Sequence, residues 1–150
     1  MIKTINISYC HCSLDELAAA DRQLVEAAFE ATRQAYAPFS GFRVGAAARL
    51  RSGEIITAAN CESEVFPSGL GAERSLLHYY ATNYATDSIE ALAIASDPSE
   101  RECYPCGACR QVILDAERRQ QSPIRIVMAG GGTATTVESA ESLFPFTFRL

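Results

Sequence analysis

The sequence predicts a single α/β domain in three layers, α/β/α, with a mixed five-stranded sheet between helices. Three observations predict it. A hairpin pattern comes first, Phe42 to Arg51 and Glu54 to Asn60 across the turn at Ser52-Gly53. Helix and strand patterns then alternate towards the C-terminus, an order that lays helices on both faces of one sheet. Nothing divides the chain, whose 150 residues hold no internal repeat, low-complexity tract or linker and suffice for one core.

Each element has its own signal. Ser13-Leu14-Asp15-Glu16 has the form of a capping box. Leu17, Leu24, Val25, Ala28, Phe29, Thr32 and Tyr36 follow at helical spacing up to Pro38, and Asp21 offers a second start after a short first turn. Residues 1–19 are set apart as an N-terminal extension of the domain. After the hairpin, Leu76, Leu77, Tyr80 and Tyr84 mark an amphipathic helix over Ala72 to Tyr84. Leu92-Ala93-Ile94-Ala95 reads as a short apolar strand and Cys106 to Arg118 as the next helix. Ile124 to Met128 is a buried strand rich in branched residues, closed by Gly130-Gly131-Gly132. Thr133 to Val137 gives a last strand, with a short helix near Ser139 to Leu143.

Composition excludes several classes. With 48% hydrophobic and 21% charged residues the chain reads as globular, not disordered. No run approaches the roughly 18 apolar residues of a spanning helix, so no membrane partner is expected. Met1-Ile2-Lys3-Thr4-Ile5 lacks the basic and apolar regions of a secretory signal, so the cytoplasm is the expected location. A net charge of −5 opposes binding to a phosphate backbone. Any nucleic-acid-related substrate is therefore expected to be a free nucleoside and not a polymer. Of six cysteines, Cys103, Cys106 and Cys109 cluster as in metal or redox chemistry, while Cys10, Cys12 and Cys61 stand apart.

The chemistry concentrates in two blocks. Gly71-Ala72-Glu73-Arg74 opens one helix, and Pro105-Cys106-Gly107-Ala108-Cys109-Arg110 opens the next, with Cys106 standing 33 residues after Glu73. Cysteines three apart on a helix point the same way, and a helix N-terminus favours thiolate over thiol. Taken alone, Cys-x-x-Cys here is open between half a zinc site, a thioredoxin-type redox pair and plain packing. A zinc deaminase is written ligand-x-Glu followed by Pro-Cys-x-x-Cys, with the Glu moving protons and not ligating the metal. This chain has the Glu, the Pro and both cysteines, but Gly71 stands where the first ligand belongs.

Three further blocks widen the match. They are Tyr36-Ala37-Pro38-Phe39-Ser40-Gly41-Phe42-Arg43-Val44-Gly45-Ala46-Ala47, Asn60-Cys61-Glu62, and Leu143-Phe144-Pro145-Phe146-Thr147-Phe148. In order and spacing, from about Asp21 to the C-terminus, the chain resembles the small homotetrameric zinc-dependent cytidine deaminases. The resemblance implies a cytidine deaminase-like fold and hydrolytic deamination of free cytidine or deoxycytidine to uridine or deoxyuridine by zinc-activated water. It further implies pyrimidine salvage as the setting and a homotetramer with shared active sites. By position, Cys106 and Cys109 match zinc ligands and Glu73 the proton shuttle. Asn60 and Glu62 match the pair that binds ribose hydroxyls. Phe42, Phe66 (where the family often has Tyr), Ala72 and Phe148 match residues around the nucleoside, Phe148 reaching a neighbouring subunit's site. Arg74 matches the residue that balances thiolate charge.

At position 71 the family has a cysteine, and glycine has no side chain to offer. His78 lies seven residues on, about 10 Å along the helix, too far to replace it. Cys61 alternates with Asn60 and Glu62 and is expected to point away from their site. Cys103 is the best spare sulfur; Cys10-His11-Cys12 would reach only if the N-terminal arm folded over the site. Water is the simplest substitute. The alternative to turnover is a catalytically impaired deaminase-fold protein that binds nucleosides or partners, and a thiol–disulfide role ranks behind both.

Overall fold

The computed structural model describes residues 1–150. Strand β1 is Cys10–Ser13, helix α1 Ala19–Ala31, β2 Arg43–Leu50, β3 Ile55–Ala59 and α2 Ala72–Asn83. Then come β4 Ile89–Asp97, α3 Gly107–Gln120, β5 Arg125–Gly130 and β6 Thr133–Val137. The sheet has six strands, in the order β1-β6-β5-β4-β2-β3, which corrects the expected five. It is mixed: β4 and β5 are parallel, and every other pair is antiparallel.

The sixth strand comes from the segment set apart as an extension. β1 reads Cys-His-Cys-Ser and carries no apolar alternation, because it is an edge strand attached by backbone pairing, Cys10 opposite Thr136 and Ser13 opposite Thr133. Ser13 does meet Glu16, its N–H and hydroxyl donating to the carboxylate at 2.8 and 2.9 Å. That box closes only the single turn Leu14–Glu16, and the long helix starts afresh at Ala19. The segment near Ser139 is likewise one tight turn, Ala140–Leu143.

Alternation along the strands sorts side chains into two cores. Ala46, Ala48, Leu50, Leu92, Ile94, Ile126 and Met128 face α2 and α3, joining Leu76, Leu77, Ile113 and Leu114. Ala47, Ala91, Ala93, Ala95, Val127 and Ala129 face α1, joining Leu24, Val25 and Ala28. The alanine-rich face lets α1 lie close on the sheet. At Gly45 a β-carbon would stand 1.9 Å from the Ala28 carbonyl oxygen, so only glycine fits there. On the other face, α2 and α3 pack side by side over bulky residues. Their N-termini, capped by Gly71 and Cys106, therefore meet at the same end of the sheet.

Candidate active site

A cavity of about 370 Å³ opens where those two helix starts face the ends of β2 and β3. Phe42 and Val44 wall it from the start of β2 and the residue before it, Asn60 to Ser63 from beyond β3, Phe66 and Gly69 to Arg74 from the first turn of α2 and its approach, and Cys103, Tyr104, Cys106 and Cys109 from α3 and the loop before it. Eight of the expected residues line it together: Phe42, Asn60, Glu62, Phe66, Ala72, Glu73, Cys106 and Cys109. Arg74 lines it as well, and Phe148 does not. In this chain Phe148 is 74% exposed, at a separate surface hollow beside Gln111, Asp115 and Arg118.

Ala72 and Glu73 form the first turn of α2 and are buried, Glu73 to 4% exposure. Burial pushes the Glu73 carboxyl above its ordinary range, against the pull of its own backbone N–H, the Cys109 thiol and the Arg74 charge. Cys109 is buried in the first turn of α3, in hydrogen-bond contact with both Glu73 and Cys106. Burial first, and then the neighbouring Glu73 charge, pushes its thiol far above the usual range. Cys106 is exposed at the helix cap. Behind them Arg74 donates from Nη2 to the Gly69 carbonyl at 3.3 Å, while its buried Nε has no partner.

Gly71 adopts ordinary extended cap geometry, with φ −66° and ψ 158°, so its backbone does not demand glycine. A β-carbon there would point at Cys109 Sγ, 2.7 Å away, and at Glu73 Oε2, 3.2 Å away. No three His, Cys, Asp or Glu side chains converge as a metal-binding group. A zinc ion fits at two of its positions: two adjacent thiols at a helix N-terminus, with the unpartnered Arg74 nitrogen behind to meet thiolate charge, and an open side at Gly71.

The other candidate ligands are elsewhere or engaged. Cys103 is buried at the cavity wall, its thiol pushed up to about 11 by burial and then by the Glu73 charge, with Ser96 bonded to it. His78 is exposed on α2. His11 points along β1 to Thr135 and Glu102, at 3.1 and 3.2 Å. Cys61 lies among the residues of the cavity wall between Asn60 and Glu62, its backbone paired with Leu70 through both N–H and carbonyl at 2.9 Å.

Asn60 and Glu62 are held by the segment before β2. Asn60 Oδ1 accepts from the Val44 N–H at 2.8 Å and its Nδ2 donates to the Phe42 carbonyl at 3.0 Å. Glu62 Oε1 accepts from the N–H groups of Phe39 and Ser40 at 3.0 and 3.1 Å. Phe39 and Phe66 meet edge to face, centroids 6.3 Å apart, at the mouth. Val44, Leu70 and Tyr104 also line the cavity without having been singled out from the sequence: Val44 lies inside a matched block, and Leu70 and Tyr104 immediately precede two others.

Comparisons with known proteins agree with this site. The profile of the cytidine and deoxycytidylate deaminase zinc-binding region matches residues 18–122. A cytidine deaminase of Halalkalibacterium halodurans is 38% identical over 96 residues, covering 63% of this chain and 71% of that protein. A blasticidin-S deaminase of Bacillus cereus is 31% identical over 143 residues, covering 91% and 93%. The crystal structure of a cytidine deaminase from Burkholderia pseudomallei superposes with a TM-score of 0.71 at 31% identity, covering 84% of this chain and 97% of that one. With the profile spanning more than half its length and the deaminase fold around its cavity, this chain belongs to the cytidine and deoxycytidylate deaminase family.

Proposed function

We propose that this protein deaminates free cytidine and deoxycytidine, giving uridine or deoxyuridine and ammonia. One observation carries the reading: a buried Glu73, pushed above the ordinary carboxylate range, touches the Cys109 thiol at the back of a small-ligand cavity. A carboxyl within hydrogen-bond reach of the reacting groups can take and return a proton, which is what general acid–base catalysis needs. Glu73 takes the proton of the attacking water and delivers protons to the ring nitrogen and the leaving ammonia. Cys106 and Cys109 would hold the zinc, which when bound lowers the pKa of water towards neutrality. Arg74 offsets thiolate charge.

Binding falls to the rest of the wall. Asn60 and Glu62 offer polar groups for the sugar hydroxyls, while Phe42 and Phe66 cover apolar surface of the nucleoside and Ala72 sits at the cavity floor. A homotetramer would bring Phe148 of a neighbouring copy to the mouth. The exposure of Phe42, Phe66 and Phe148, at 43%, 78% and 74%, supports assembly over these rings. We further propose that residues 1–150 act as one domain and work in the cytoplasm in pyrimidine salvage; no helix is long and apolar enough to cross a membrane.

Gly71 favours a second reading, nucleoside binding without turnover. The test is cytidine turnover, followed by loss of cytosine absorbance, on zinc-loaded protein beside Gly71→Cys. Comparable rates support a two-cysteine deaminase. Activity only in Gly71→Cys supports the second reading, and inactivity in both counts against the deaminase reading.

A further inference from the structure

Residues 36–44 wrap around residues 60–62 as a closed clasp. The Tyr36 N–H donates to the Asn60 carbonyl at 3.0 Å, and the Glu62 N–H donates to the Tyr36 carbonyl at 2.8 Å. The two side chains return the contact, Asn60 bonding the backbone of Phe42 and Val44, and Glu62 that of Phe39 and Ser40. Gly41 closes the turn: its N–H donates to the Ala37 carbonyl at 3.0 Å, and its φ of +67° is one that side-chain-bearing residues rarely adopt. The Ser40 hydroxyl accepts from the Phe42 N–H at 3.0 Å. Ser40 also acts on Glu62 directly. Its side chain, and then the N–H groups of Ser40 and Phe39, outweigh burial and hold the carboxyl below its usual range.

The chemical consequence lies in what is left free. Glu62 Oε1 already receives two N–H donors, so the cavity sees Oε2 of an ionised, acceptor-only carboxylate in one orientation. Asn60 keeps one amide N–H and one lone pair beside it. A carboxylate ordered before binding loses little rotamer freedom when a hydroxyl docks on it. We infer that the turn at residues 37–41 is a positioning element for sugar recognition, with Ser40 a positioning residue that acts through Glu62. The inference rests on the nucleoside reading of the cavity. It also explains why a turn that faces solvent, Phe39 and Phe42 being half-exposed, is tied so densely to the two polar groups of the wall.

The test compares cytidine with 2′,3′-dideoxycytidine by equilibrium dialysis, in full-length Glu73→Gln protein so that turnover does not intrude. Ser40→Pro deletes one N–H donor to Glu62 together with the hydroxyl; Ser40→Ala deletes the hydroxyl alone. The expected result is a loss of about tenfold in cytidine affinity for Ser40→Pro, a smaller loss for Ser40→Ala, and unchanged dideoxycytidine affinity. Where Ser40→Pro does not fold, Ser40→Ala decides. An unchanged preference for cytidine in both variants overturns the proposal, and so does equal loss of both ligands, which marks a purely structural turn. If the parent protein binds both ligands equally, sugar hydroxyls are not read and the proposal falls while the cavity stands. If it binds neither, the nucleoside reading itself falls.

Discussion

Gly71 aims its missing side chain at Cys109: a β-carbon built on its backbone would stand 2.7 Å from the Cys109 sulfur. In the proposed zinc site the glycine therefore leaves one ligand position open beside Cys106 and Cys109. The open position also shifts charge. In that site three thiolates on Zn²⁺ would leave one negative charge for Arg74 to offset, whereas two would leave none; Arg74 Nε lies buried without a partner. A cysteine at 71 needs Cys109 Sγ to give way, which a turn about one side-chain bond provides.

Gly71→Cys is accordingly expected to raise zinc affinity by at least about tenfold, since even the outer partners of a metal site are worth about 10–100-fold. Competition with a zinc chelator, with metal content measured after dialysis, reads this directly. Equal zinc retention by the two proteins would mean that a donor outside position 71 already completes the site.

Glu73→Gln is expected to lower cytidine turnover by at least about 100-fold, the lower end of what a positioned proton carrier contributes. Nucleoside affinity should change far less, because the sugar contacts assigned to Asn60 and Glu62 are untouched. Steady-state rates and equilibrium dialysis on the same preparation separate the two. Turnover within about threefold of the parent protein would remove Glu73 from the proton path.

Much of this was legible in the chain, for identifiable reasons. Buried strands such as β4 and β5 show as apolar runs, and α1 and α2 as helical periodicity, because burial dictates residue type. The edge strand β1 left no such trace: backbone pairing to β6 holds it and its residues are polar or half-exposed. At the cavity, block spacing indicated Glu73, Cys106 and Cys109, which the helix starts bring together. The clasp of residues 36–44 on 60–62 was invisible, since on the side of residues 36–44 it is made mostly of backbone N–H and carbonyl groups, which residue type does not reveal.

The buried Glu102 carboxylate gives a pH-dependent prediction. Burial alone would raise its pKa, but hydrogen bonds from Thr133, Thr135 and Tyr104, with the nearby His11, outweigh it and hold it below the ordinary value. A lowered folded-state pKa contributes stability that is present above the unfolded value and lost as pH falls through the folded one. Thr133, whose hydroxyl donates to Oε1 at 2.7 Å, is the handle. Thr133→Val is expected to cost about 1–3 kcal/mol at pH 7, and less as pH drops below the ordinary carboxylate value of 4.5. Urea unfolding at several pH values checks it; a cost independent of pH would assign the loss to packing.

Asp21 tests whether the far side of the sheet is structural only. It is 4% exposed at the start of α1, and its carboxylate takes Arg125 Nε and Nη2 at 3.0 and 2.8 Å, with Arg49 3.8 Å away. These contacts tie α1 to β5 and β2. Removing one partner of a buried pair costs about 3–5 kcal/mol, and the partial exposure of Arg125 lowers the expectation for Asp21→Asn to about 2–3 kcal/mol. The proposed catalytic cavity lies at the starts of α2 and α3, on the opposite face, and shares no residue with this pair. Urea unfolding should therefore register the substitution while nucleoside affinity, measured where the protein remains folded, stays within about twofold. A cost under about 1 kcal/mol would show that packing of Leu24, Val25 and Ala28 holds α1 without the ion pair.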